Sequence, residues 1–200
     1  MNYKTIPEMF FSVIEEQKDK NLFNYKKNNE WVPILGSEIK ETVEYLSAAL
    51  LYLDLKPKDK VAILSTTSHK WALADYSILS AGMTTTTIYP TLIEEQVEFI
   101  LNDSESKLIF VENKEQFEKI NKIIDKCESL KYIILLDNDS VSDSIDYCFS
   151  FSVLKSLGKN YLKKTNISIY NDYVSNISEN DLVTLIYTSG TTGMPKGVML

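Results

Sequence analysis

Apolar residues along the chain change their spacing several times, and each change predicts an element. Thr5-Ile6-Pro7-Glu8 reads as a capping box with proline just inside the helix, which should run to about Lys20. Residues 22–25 and 30–34 alternate around Asn28-Asn29, which predicts a hairpin. Ser37 is placed to cap a second helix, whose Ile39, Val43, Leu46, Leu50 and Leu53 fall on one face. After a turn at Lys56-Pro57-Lys58-Asp59, strands are predicted at 61–64, 84–89, 107–111 and 132–136. Helices should fill the gaps: 71–81, capped by Ser68 and closed by Gly82, then one opened by Thr91-Leu92-Ile93-Glu94 and running through Leu101. A third is capped by Asn113 with Gln116 and shows the face Phe117, Ile120, Ile123, Ile124. Residues 137–146 read as a polar surface excursion and 151–162 as one helix, while 166–180 follow no assignable pattern. A strand is expected at 182–187, and 198–200 looks like another beginning.

Strand and helix alternating with short connections imply an α/β fold, a mostly parallel sheet with helices on both faces. The unbroken apolar run Tyr132-Ile133-Ile134-Leu135-Leu136 fits a strand buried on both sides. The expected organisation is a helix–hairpin–helix lead-in over 1–55, strand–helix repeats over 56–137, and a strand, loop and next strand over 181–200.

Composition narrows the function. The longest apolar run, Ala48 to Leu53, is six residues, against about 20 for a membrane span, so no transmembrane segment is expected. All 21 basic residues are lysine and the net charge is -7. Without the planar arginine fork, and acidic overall, the chain is not expected to bind nucleic acid. Two cysteines, Cys127 and Cys148, cannot make a disulfide framework, and the N-terminus carries no basic-then-apolar leader. These features predict a reducing, cytoplasmic setting, with both thiols acting as small apolar side chains. One histidine, His69, builds no zinc site, and no Gly-x-Ser-x-Gly elbow accompanies it. Its place after Ser68 predicts a first-turn surface residue.

The chemistry concentrates at the far end of the chain. Thr188-Ser189-Gly190-Thr191-Thr192-Gly193 is followed by Pro195-Lys196-Gly197. Gly190 and Gly193 can take positive φ and let a ligand approach the backbone. Successive N–H groups can then form an anion nest, with hydroxyls from Thr188, Ser189, Thr191 and Thr192 around it. Lys196 adds a positive charge, which gains roughly 4 kcal/mol at about 4 Å from a phosphate oxygen before desolvation. The arrangement suits a polyphosphate but is not a Walker A loop, because Lys196 is followed by Gly197 and an extended run. Read blandly, it is a hairpin turn rich in glycine and threonine.

The run 187–193 with Pro195-Lys196-Gly197-Val198 resembles, almost residue for residue, the signature loop of the adenylate-forming (AMP-binding) superfamily. That superfamily holds acyl-CoA synthetases, peptide-synthetase adenylation domains and luciferases. Weaker similarity covers Lys60-Val61-Ala62-Ile63-Leu64-Ser65 and Gly82 followed by Thr86-Thr87-Ile88-Tyr89-Pro90-Thr91-Leu92. Ile88 to Leu92 leans toward long-chain fatty acyl-CoA synthetases. The family more often has glycine where this chain has Asp54 and Lys58.

The resemblance implies the N-terminal portion of the large domain of the adenylate-forming fold, with the small C-terminal domain and its catalytic lysine later than Leu200. The implied activity is ATP-dependent conversion of a fatty acid to acyl-adenylate and transfer of the acyl group to CoA. ATP, Mg2+, CoA and a fatty acid are the implied small-molecule partners, and any membrane contact would be peripheral. Thr188, Ser189, Gly190, Thr191, Thr192, Gly193 and Lys196 would line the β- and γ-phosphates, with Lys196 supporting catalysis. No metal ligand is expected among these residues, and nothing in them fixes an oligomeric state. Two alternatives remain open: an enzyme adenylating another carboxylic acid, or a non-catalytic remnant or interaction protein. In each case the isolated 200-residue chain is expected to make no acyl-adenylate. Residues 198–200 are expected to lack strand partners and to leave an apolar sheet face uncovered.

Overall fold

The computed structural model describes residues 3–137, 147–188 and 195–200. In chain order the elements are α1 (Ile6–Glu16), β1 (Asn21–Lys27), β2 (Glu30–Leu35), α2 (Gly36–Tyr52), β3 (Lys60–Leu64), α3 (His69–Ser80), β4 (Thr84–Ile88) and α4 (Glu94–Asp103). There follow β5 (Leu108–Val111), α5 (Lys114–Asn121), β6 (Tyr132–Leu135), β7 (Cys148–Ser150), α6 (Phe151–Thr165), α7 (Ile169–Asp172), β8 (Thr184–Thr188) and β9 (Lys196–Met199). β1 and β2 form an antiparallel ribbon, and the other seven strands form one sheet in the order β7-β6-β5-β3-β4-β8-β9. All its pairs are parallel except β8 with β9. This is the α/β fold with a mostly parallel sheet that the alternation predicts. The chain forms two compact units: Met1–Lys56 with Thr67–Gly82 and Lys155–Asp181, and Pro57–Thr66 with Met83–Leu154 and Leu182–Leu200.

In the first unit, Thr5 caps α1 by accepting the Glu8 N–H at 3.3 Å, while the Glu8 carboxylate takes the Lys4 N–H at 2.8 Å. The helix stops at Glu16 rather than near Lys20. The carbonyls of Lys18 and Lys20 are turned instead toward the N–H groups of Ser37 and Gly36, at 2.8 and 2.9 Å. Those bonds satisfy the start of α2, so Ser37 is not its cap; Leu35, with no polar side chain, holds that position. The predicted apolar face of α2 is buried from Ile39 to Leu53. Asn28 and Asn29 both have positive φ, 50° and 66°, as a tight primed turn requires. Ser68 caps α3 by accepting the Trp71 N–H, and Gly82 follows its end at φ 72°. His69 lies in the first turn of α3 as expected, but not simply on the surface. It is half-buried, with its ring stacked on Tyr25 at 4.3 Å. Across α2 and α3, the buried Ser47 hydroxyl lies 2.8 Å from the Val43 carbonyl and 2.9 Å from that of Ser77. α6 meets α2 backbone to backbone: a Cβ on Gly158 would fall 1.7 Å from the Tyr45 carbonyl oxygen. The patternless 166–180 stretch is shaped by local caps, such as Ser168 accepting from Asn171.

In the second unit, Ala62, Leu64, Ile109, Val111, Ile133 and Leu135 form one sheet face and join Val97, Ile100 and Leu101 of α4 with Phe117 and Ile120 of α5 in a single core. The alternate residues Val61, Ile63, Phe110 and Ile134 are also fully buried, so the strands are covered on both faces as their apolar runs imply. Thr91 does not cap α4. The chain first turns, with the Leu92 N–H on the Tyr89 carbonyl, and Lys119 Nζ binds the Pro90 and Leu92 carbonyls at 2.8 Å each. Ile93 is the cap residue, and Gln96 reaches back to its N–H at 3.4 Å. At its other end α4 closes in a Schellman turn: the Ser106 N–H meets the Leu101 carbonyl and the Glu105 N–H that of Asn102, with Glu105 at φ 53°. Asn113 caps α5 as read from the sequence. Ile123 and Ile124 fall just beyond it, at and within a short 3-10 turn. β7, only three residues long, carries too little pattern to be foreseen. The expected excursion at 138–146 lies outside the described residues. Asp54 and Lys58, where the family more often has glycine, take φ 65° and 73°. Among the described residues no helix is long and apolar enough to cross a membrane.

Four measurements check this packing. Gly158→Ala should cost about 3 kcal/mol or more, seen as a fall in Tm of roughly 6–12 °C, because the added methyl meets backbone that cannot rotate away. Glu105→Gly should raise stability by about 0.5–1 kcal/mol, since relief of the left-handed backbone outweighs glycine's extra freedom when unfolded. Burial pushes the Cys127 and Cys148 thiols up from 9.0 to about 11, so neither should react with a disulfide reagent at pH 8 until guanidinium unfolds the protein. A thiol pKa raised by folding favours the native state below the unfolded value. Stability should therefore fall as pH climbs from 9.0 through about 11.

Candidate functional site

The motif is carried on a hairpin stem at the carboxyl edge of the sheet. β8 enters beside β4 with Thr184 opposite Thr85, Leu185 opposite Thr86 and Ile186 opposite Thr87. The four-threonine run of β4 does more than extend. The Thr84 hydroxyl donates to the Leu182 carbonyl and the Thr184 hydroxyl to that of Thr85, both at 2.9 Å, and the Thr87 hydroxyl lies 3.4 Å from the Leu185 carbonyl. β-Branched threonine thus supplies strand propensity and a second set of cross-strand bonds.

The chain then returns antiparallel as β9, pairing Leu185 with Met199, Ile186 with Val198, Tyr187 with Gly197 and Thr188 with Lys196. Below them the Leu200 N–H bonds the Thr184 carbonyl at 3.1 Å, and the Leu200 carbonyl accepts from Val183 at 2.8 Å. The expectation that 198–200 lack strand partners is thereby corrected on the inner side: their backbone pairs with β8. Their side chains are exposed, Met199 at 72%.

Directly opposed residues of an antiparallel pair share a sheet face, so the register sets Thr188 and Lys196 abreast. Both are exposed. Among the described residues no carboxylate pairs with Lys196, which leaves its charge available to an anion. The other motif residues, Ser189, Gly190, Thr191, Thr192 and Gly193, lie outside the described residues.

β8 runs parallel to β3, β4 and β5, so Thr188 leaves the sheet at the same edge as Thr66 and Glu112. There Glu112 accepts the Thr66 N–H at 3.0 Å and the Thr66 hydroxyl at 2.7 Å. Strand order reverses on this edge between β3 and β5, while β8 lies two strands from β3, on the far side of β4. Ligands of open parallel sheets bind outside the carboxyl ends at such a reversal. Among the described residues no cluster of three His, Cys, Asp or Glu side chains could hold a metal.

One contact was not legible beforehand. Tyr187, 7% exposed, donates its hydroxyl to Asp103 Oδ2 at 2.6 Å. Burial first, then the Asp103 carboxylate, holds its phenol far above the ordinary range. Asp103 stands 84 residues away at the polar end of α4, and nothing in the local pattern links the two.

Comparison with known proteins agrees with this geometry. A family model described as AMP-binding enzyme matches residues 10–200. The long-chain-fatty-acid–CoA ligase ACSBG2 of Xenopus laevis is 30% identical over 98% of this chain and 26% of its own length. The long-chain-fatty-acid–CoA ligase heimdall of Drosophila melanogaster is 29% identical over 98% of this chain and 29% of its own. FadD15 of Mycobacterium bovis, of the same description, is 26% identical over 99% and 31%. The chain thus spans 26–31% of the length of these relatives. Among solved structures, the anthranilate CoA ligase AuaEII in complex with anthranoyl-AMP superposes with a TM-score of 0.80 at 18% identity, covering 96% of this chain and 34% of that one. The adenylation domain of a carboxylate reductase from Mycobacterium chelonae gives 0.75 at 19%, covering 98% and 34%. These two show that the fold is that of adenylation domains. With the family model matching nearly the whole chain, the chain belongs to the AMP-binding enzyme family.

Proposed function

We propose that residues 1–200 form the N-terminal portion of the large domain of a fatty acid–CoA ligase, and that the stem of β8 and β9 presents its ATP-phosphate site. The observation that carries this is the register that sets Thr188 beside Lys196 at the carboxyl edge of a parallel sheet, flanking the Ser189–Gly193 motif. A hydroxyl donor and an exposed ammonium that no carboxylate among the described residues pairs with suit a phosphate anion and do not suit the acyl chain. The curated relatives' description as long-chain-fatty-acid–CoA ligases supports the choice of substrate.

In this reading a fatty-acid carboxylate oxygen attacks the α-phosphorus of ATP, and the bond to the departing pyrophosphate breaks. The thiol of CoA, losing its proton, then attacks the acyl carbon and AMP leaves. Thr188 donates to a phosphate oxygen. Lys196 stabilises negative charge that grows on the leaving pyrophosphate, which makes its contribution larger in the transition state than in the ground state. By the family resemblance of their sequence, Ser189, Gly190, Thr191, Thr192 and Gly193 would also bind the phosphates. Mg2+, when bound, supplies further neutralisation of the phosphates, and the described residues offer it no carboxylate cluster.

The test is ATP–pyrophosphate exchange by the full-length enzyme of which residues 1–200 form the N-terminal portion, with palmitate, acetate, anthranilate and amino acids offered in turn. Palmitate-dependent exchange is expected, and Lys196→Ala should lower kcat/KM for ATP by about 10- to 100-fold. Exchange with only the other acids would replace the fatty-acid reading by an adenylating enzyme of another class. No exchange with any acid would remove the enzymatic reading.

A further inference from the structure

We infer that Asp103 is a positioning residue for the phosphate-binding stem, acting through Tyr187. This rests on the proposed reading of that stem as an ATP-phosphate site. Tyr187 sits at the join of three things. It directly precedes Thr188 on β8, it pairs with Gly197 on β9, and its hydroxyl reaches Asp103 at the end of α4. Its ring lies against Gly197 so closely that a Cβ there would stand 3.0 Å from Cζ and 3.2 Å from the phenolic oxygen. One side chain therefore touches the backbone of β9 on one side and a helix terminus on the other. The stem cannot tilt away from α4 without breaking the 2.6 Å bond or driving the ring into β9.

The helix itself gives no reason for a carboxylate at Asp103. It is the last residue of α4, where the unpaired carbonyls disfavour negative charge. Among the described residues it makes no ion pair. Its neighbour Asn102 is turned to the Lys126 carbonyl at 3.0 Å. What the carboxylate does is accept a short, charge-assisted bond from Tyr187. The helix end is fixed in its turn: the Glu105 and Ser106 amides close it, and the Ser104 and Ser106 hydroxyls lie 2.7 Å apart in the core. The anchor is rigid, and what it holds is the pair of strands bearing Thr188 and Lys196.

A contact that merely stabilised the fold would lower both substrates' kinetics together. A contact that positions the stem should act on ATP. Asp103→Ala, Asp103→Asn, Tyr187→Phe and the double variant Asp103→Ala/Tyr187→Phe are compared in the full-length enzyme. Palmitate-dependent ATP–pyrophosphate exchange is measured with each substrate varied separately. Hydrogen exchange is followed in peptides covering 184–188 and 195–200. Asp103→Ala and Tyr187→Phe should each raise KM for ATP roughly 10- to 100-fold, as expected for loss of one hydrogen bond to a charged group, with KM for palmitate within about 2-fold. The double variant should be no worse than either single one, because both remove the same bond. Asp103→Asn keeps an acceptor oxygen and should return KM for ATP to within about 2-fold of wild type. Amides of the stem should exchange faster in the Ala and Phe variants.

Equal losses for both substrates, failure of Asp103→Asn to rescue, or unchanged kinetics with unchanged amide exchange would each overturn the positioning role. A wild-type protein inactive with every acid marks the failure of the phosphate-site reading and removes this role with it. An active wild type with unaffected variants marks the failure of this inference alone.

Discussion

Thr84, Thr85, Thr86 and Thr87 form the seam along which β8 joins the sheet, and the placement of the motif depends on that seam. Parallel ladders have slanted bonds and are slightly weaker per residue than antiparallel ones. Here the ladder is reinforced by hydroxyls from both strands, which donate to carbonyls across the seam. Each such bond is worth about 1 kcal/mol net. Valine or isoleucine would give the same extended backbone without them. Because β8 is held so, its carboxyl end arrives beside that of β4, on the same edge of the sheet as the reversal of strand order between β3 and β5.

A hairpin connection and the proposed phosphate site are compatible readings of the glycine-rich segment. It joins two antiparallel strands, as a hairpin turn does. A parallel continuation would have needed a crossover of a dozen or more residues, carrying the lysine away from the threonine. The antiparallel return brings Lys196 back level with Thr188 within a few residues. Gly197 then has a packing role distinct from phosphate binding: it leaves room for the Tyr187 ring. Lysine and glycine stand side by side in the motif, Lys196 exposed and Gly197 against a neighbouring strand's aromatic ring.

Much of the architecture was legible because it follows from local periodicity. The α2 face, the apolar strands β3, β5 and β6, and the caps at Ser68 and Asn113 stand where spacing places them. Helix starts were the weak point. Ser37 and Thr91 are good caps by residue type, yet their helices are started by backbone carbonyls or by a returning glutamine. Residue preference cannot see a carbonyl supplied from elsewhere in the chain. His69 was misjudged for a similar reason, since its stacking partner Tyr25 comes from a distant hairpin. The motif residues announced themselves as a group, whereas Asp103 did not, because a single acid gains its meaning only from the fold that brings Tyr187 to it.

The long separation of β4 and β8 has a consequence for how the protein is made. The bonds between them join residues 98 and 99 apart. Ribosomes add about 5–20 residues per second, so β4 waits roughly 5–20 s for its partner to be synthesised. In that interval β5 and β6 can extend the sheet only on the other side of β3, and β4 remains an open edge. Unpaired edges recruit strands from other molecules, least readily when their side chains are polar. The threonine run that later stitches β8 in place would, until then, keep that waiting edge hydrated in a crowded cell.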